Sequence, residues 1–78
     1  STLSSIVSNS IVEDSEDPKT AGEMCEALAE DHARVAHRMH AVIKVADESH
    51  DPVTEDLATE RAAFHEKASW MLRSIAKS

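Results

Sequence analysis

The feature that most limits what this chain can fold into is how little interrupts it: one Gly and two Pro in 78 residues. No stretch alternates apolar and polar residues over a useful length, so strands drop out and helices remain. Residues 1–10 read as a short helix with Leu3, Ile6 and Val7 on one side. Residues 11–19 form a polar, acidic loop that closes on a Pro stop. A long helix is expected over 20–49, begun by Thr20 and Glu23 at capping-box spacing. Its apolar stripe runs through Met24, Leu28, Val35, Met39, Val42 and Ala46, with His32 in the widest gap. His50 and Asp51 make the turn, Asp51 as N-cap and Pro52 at the first helical position. A second long helix over 52–76 presents Leu57, Phe64, Ala68, Met71 and Ile75 on one face, with Trp70 and Leu72 beside it.

Dimensions sharpen this. At 1.5 Å per residue the two helices are roughly 45 and 37 Å long. A compact ball of this chain length has a radius of gyration of about 11–12 Å. The helices are too long for such a ball. A hairpin of two helices leaves apolar surface uncovered, so the chain reads as half of a four-helix bundle in need of partner helices.

A net charge of −7 and a pI near 5.0 argue against a grip on a nucleic-acid backbone and suit cation handling. Cys25 is the single cysteine, which excludes an internal disulfide. It reads as a small apolar residue of a reducing compartment, with no partner at metal or nucleophile spacing. No apolar run approaches the ~20 residues of a membrane span. A soluble cytoplasmic protein is expected. The start at Ser1, without Met, fits processing or a piece of something longer.

Di-iron carboxylate sites in helix bundles place Glu-x-x-His on one helix face. Three residues before His32, His37, His40 and His65 stand Ala29, Arg34, His37 and Ala62. Asp47-x-x-His50 alone fits loosely, at a helix end. His37 and His40 are spaced to share a borderline metal, or are two surface imidazoles among Arg34, Arg38 and Lys44. His32 reads as a satisfied core or interface histidine. Asp51, Glu55, Asp56 and Glu60 crowd the start of the last helix. There the helix dipole favours carboxylates, which are either simply solvated or a cation-attracting ring. Trp70 fills an interface as a large amphipathic ring. Glu66, Lys67 and Arg73 read as solvated or inter-subunit ion pairs.

The order of parts resembles the C-terminal half of the Dps family (DNA protection during starvation), the mini-ferritins. Ser1-Thr-Leu-Ser-Ser-Ile-Val7 resembles that family's short connecting helix. Asp51-Pro-Val-Thr-Glu-Asp-Leu57 resembles the start of its fourth bundle helix. His65-Glu-Lys-Ala-Ser-Trp-Met-Leu72 resembles the E/D-K-x-x-W pattern near that helix's end. The resemblance implies an all-α, ferritin-like four-helix bundle, of which this chain carries the C-terminal hairpin and the short connecting helix. It implies a dodecameric shell in which Fe(II) is oxidised between subunits, typically by peroxide, and ferric mineral collects inside. The ferroxidase ligands of that family lie on the first two bundle helices, so none falls on this chain. Iron is the metal implied, and a complementary N-terminal half is the partner implied.

The same resemblance makes Asp51, Glu55, Asp56 and Glu60 the lining of an iron-admitting pore, with Asp51 and Asp56 first. It makes Trp70 a redox neighbour of the oxidation site. Pro52 stands where some members have another acidic residue. DNA protection belongs to the family, usually through basic tails, and this segment gives it no support. The competing expectation is a non-enzymatic helical module that pairs with partner helices.

Overall fold

A computed structural model describes residues 18–78, which form two antiparallel helices and a tight turn. Helix α1 spans Pro18–Glu48 and helix α2 spans Pro52–Lys77. The fold is all-α, a helical hairpin with no strand among the described residues. It is a rod of 50 × 20 × 17 Å with a radius of gyration of 15.2 Å. The short helix expected over 1–10, and the loop as far as residue 17, lie outside the described residues.

The boundaries differ from expectation at several points. Pro18 and Lys19, assigned to the loop, already belong to α1. A proline in the first turn of a helix loses no intrahelical bond, so Pro18 is accommodated in α1 and does not stop it. Thr20, expected to begin the helix, is therefore its third described residue. Helix α1 ends at Glu48 and α2 runs on to Lys77, whose successor Ser78 caps it through Ile75 O.

The turn is set by its hydrogen bonds. Asp51 N–H donates to Ala46 O at 2.9 Å and His50 N–H to Asp47 O at 3.1 Å. These two bonds make a Schellman end to α1. It puts His50 in the left-handed region, at φ 55°. Asp51 then caps α2 with its side chain. One residue thus closes the first helix with its amide and opens the second with its carboxylate.

The expected stripes coincide with the seam only in part: Ala46, Ala68 and Met71 are buried in it, and Met39 and Ile75 are half-buried, while the other large residues of the stripes stay outside. The buried residues of α1 are Ala21, Cys25, Ala29, Ala36 and Ala46, at steps consistent with one face. Those of α2 are Ala58, Ala62, Ala68, Ser69, Met71 and Leu72. Ala29 is fully buried, and the Ser69 hydroxyl donates to its carbonyl at 2.9 Å. Such contact between a side chain and the opposite backbone requires small residues between the helices.

Met24, Leu28, Val35 and Val42 flank the seam on α1 and stay exposed, as do Leu57 and Phe64 on α2. At about 100° per residue, in an antiparallel pair, these two rows fall on the same side of the hairpin. Magnitudes then decide what holds the molecule together. Burying a methyl-sized group contributes about 0.8 kcal/mol, against about 1.5–3 for a Leu, Met or Phe. The alanines, with Cys25, Met71 and Leu72, make the hairpin, and a substantial hydrophobic surface remains part-exposed on its flank.

Candidate functional site

Three groups of polar residues can be followed from their positions in this hairpin. The first is the acidic start of α2. Asp51 Oδ1 accepts from Thr54 N–H at 3.1 Å, and Oδ2 accepts from the Thr54 hydroxyl at 2.6 Å. These bonds, the hydroxyl's first, hold the Asp51 carboxyl below its usual pKa. Asp51 is therefore ionised and occupied in capping. Glu55 is half-buried in the first turn, and its carbonyl accepts from the Thr59 hydroxyl at 2.7 Å. Asp56 and Glu60 are exposed one turn apart on a shared row. Asp56 is not on Asp51's side of the helix, so the two residues ranked first do not converge within one chain.

The second group lies in the seam. His32 and His65 are half-buried and meet across it, Nδ1 to Nδ1, at 2.9 Å, with ring centroids 5.1 Å apart. His32 is thus an interface histidine whose partner is another histidine. Arg61 Nη2 lies 3.2 Å from His65 Nε2. A guanidinium only donates, so His65 Nε2 must accept and its proton resides on Nδ1. His65 Nδ1–H then donates to His32 Nδ1. Desolvation first, then the Arg61 and His32 charges, push the His65 pKa down and favour this neutral form. Arg61 also stacks on Phe64, 4.7 Å from its ring centroid.

The third group occupies the side of the hairpin away from the large apolar rows. Ala33, Ala36, His37, His40, Glu66, Ser69, Trp70 and Arg73 line an open groove of about 380 Å³. His40 Nε2 pairs with Glu66 Oε2 across the helices at 2.9 Å. Glu66, expected to be solvated or to pair between subunits, is exposed and also bridges α2 to α1. Trp70 is 69% exposed here. It does not stand beside the apolar face as expected, because two residues past Ala68 rotate a side chain to the far side of the helix. Leu72, by contrast, is in the seam.

Cys25 is buried, and burial, reinforced by Glu26, pushes its thiol pKa up, as for an inert core residue. His50 and Asp47 are linked only through the backbone of the turn. Among the described residues no group of three or more His, Cys, Asp or Glu is gathered to hold a metal ion. No described helix is long and apolar enough to cross a membrane.

The His32–His65 and Ser69–Ala29 contacts were missed from sequence. Both pairs straddle Ser49 almost symmetrically. Reflecting the chain about its turn supplies that register, whereas reading each helix alone does not.

Comparison with curated proteins and with solved structures gives no match. The family model of the ferritin-like domain matches residues 2–78. With a hairpin of two long helices, no strand, and large apolar rows placed to meet further helices, the match and the architecture agree: the chain belongs to the ferritin-like domain family, whose general business is iron storage or oxidation.

Proposed function

We propose that this chain supplies the C-terminal hairpin of a Dps-type shell that oxidises Fe(II), stores the ferric product and so removes Fe(II) and peroxide together. The observation that carries the reading is the exposed row Met24, Leu28, Val35 and Val42 beside Leu57 and Phe64, next to a seam that is already closed. A row of that size is covered in a folded bundle, and a complementary N-terminal pair of helices covers it in this reading. Those helices carry the oxidation ligands.

Asp51, Glu55, Asp56 and Glu60 then line the pore that admits iron, as a ring completed by copies of the chain around an axis. The ring concentrates cations by its field. Repetition around an axis removes the difficulty that Asp51 and Asp56 do not converge in a single chain. Trp70 serves as electron source to an oxidation site between subunits, since its groove faces away from the apolar rows. Protection of DNA follows from removing both reactants and asks no DNA contact of this acidic segment. The setting is the bacterial cytoplasm or nucleoid.

Size-exclusion chromatography joined to Fe(II) oxidation under peroxide tests the reading. An assembly of hundreds of kilodaltons that oxidises Fe(II) when the complementary half is present supports it. A small dimer that leaves Fe(II) untouched with that half present overturns it in favour of a non-enzymatic interaction module.

A further inference from the structure

We propose that His32 and His65 form a two-imidazole chelate for a borderline divalent cation, which staples α1 to α2 through the seam. The site is separate from the acidic start of α2 and from any ligand on other helices. Its two donor atoms are already within chelating distance, and each ring turns by about 45° from the N–H···N line to aim its lone pair at a shared metal. The two Nδ1 atoms are 2.9 Å apart and come from helices held in register by the Ser69–Ala29 bond one turn away. With metal–nitrogen bonds of ~2.05 Å, that separation subtends about 90° at a shared metal. This is the angle between neighbouring ligands in square-planar or octahedral coordination, the preference of Ni(II) and Cu(II). A tetrahedral Zn(II) ion needs the nitrogens a few tenths of an ångström further apart. Water completes the coordination, since the pair is only half-buried.

The proton between the rings is what the metal displaces. Both imidazoles stay neutral. The His65 proton moves from Nδ1 to Nε2, and His32 keeps its proton on Nε2. His65 Nε2 then becomes a donor and no longer accepts from Arg61, which turns to solvent while keeping its contact with Phe64. Arg61 is therefore an antagonist of the chelate twice over, by holding the wrong tautomer and by its charge. That sets the expected signature apart from generic surface histidine binding.

The test is a titration of the full chain with NiCl2, read by calorimetry and by thermal unfolding. The melting temperature rises with Ni(II). His32→Phe and His65→Phe each remove the rise, a paired His37→Ala/His40→Ala variant keeps it, and Arg61→Gln tightens Kd at least about threefold. To keep the result independent of variant folding, long-range 1H–15N spectra of the unaltered chain are followed during addition of ZnCl2. Nδ1 resonances of two histidines move together, while the Nε2–H signal of His32 persists and one at His65 appears. Unchanged Ni(II) binding in both Phe variants, loss of binding in the His37/His40 variant, weaker binding in Arg61→Gln, or loss of the histidine Nε2–H signals with Nδ1 unmoved would each overturn the proposal.

Discussion

Asp51 and Thr54 are joined twice, with the carboxylate accepting both the backbone amide and the hydroxyl of the threonine. This gives Asp51 a structural duty that coexists with the proposed pore duty, and the two are separable. Asn caps as well as Asp but carries no charge. Asp51→Asn is expected to leave the melting temperature near that of the parent while slowing iron uptake by the assembled shell. Asp51→Ala is expected to lower both. Equal uptake in the Asn variant and the parent removes Asp51 from the pore. The depressed carboxyl pKa also fixes a sign: the contribution is present above the ordinary value of 3.8 and is lost as pH falls below it.

His50 occupies a left-handed position that glycine fills without a Cβ penalty. His50→Gly is expected to stabilise the chain by about 1 kcal/mol. Chemical denaturation measures this directly, and a loss of stability would mean that the imidazole has a partner outweighing its backbone strain.

The alanine seam has no room for growth at Ala29, which is fully buried and whose carbonyl receives Ser69. Ala29→Leu is expected to cost about 1–3 kcal/mol by overpacking. Ser69→Ala is expected to cost about 1 kcal/mol, the worth of one buried hydrogen bond. Denaturant midpoints of the two variants, compared at constant slope, check both figures.

Acid should loosen the seam at its histidines. The His65 pKa is lowered in the folded chain from its usual 6.5, chiefly by desolvation and then by Arg61. The unfolded chain therefore binds the proton more readily, and stability falls as pH drops below about 6.5. Above that value the contribution is complete. Melting temperatures of the parent and His65→Gln at pH 7.5 and 5.5 are compared, with the larger acid-induced drop expected in the parent. Parallel drops would show that other groups set the acid response.

Much of this was readable before any coordinates. The scarcity of Gly and Pro gave two long helices, and Asp51-Pro52 marked the start of the second. The seam was readable on the second helix in part, through Ala68, Met71 and Leu72, but hardly on the first, where hydrophobicity ranks Met24 and Leu28 above Ala21, Cys25 and Ala29. Close helix approach selects for small size instead. Pro18 is ambiguous in sequence because a proline stops a helix from its interior but is tolerated in the first turn. Trp70 was placed by its neighbours in sequence, while its side of the helix depends on rotation relative to a seam that had not been located. The pairing of His32 with His65 needed the register of two distant segments, which only the turn supplies.

The division between a small-residue seam and a large-residue flank has an evolutionary consequence. The residues that hold the two helices to each other are not those that a third helix would meet. Substitution along Met24, Leu28, Val35 and Val42 can retune what the hairpin assembles with while leaving it closed, and drift in the alanines cannot be compensated from the flank. Cohesion and partner choice are thus inherited on separate sets of positions, free to change at different rates.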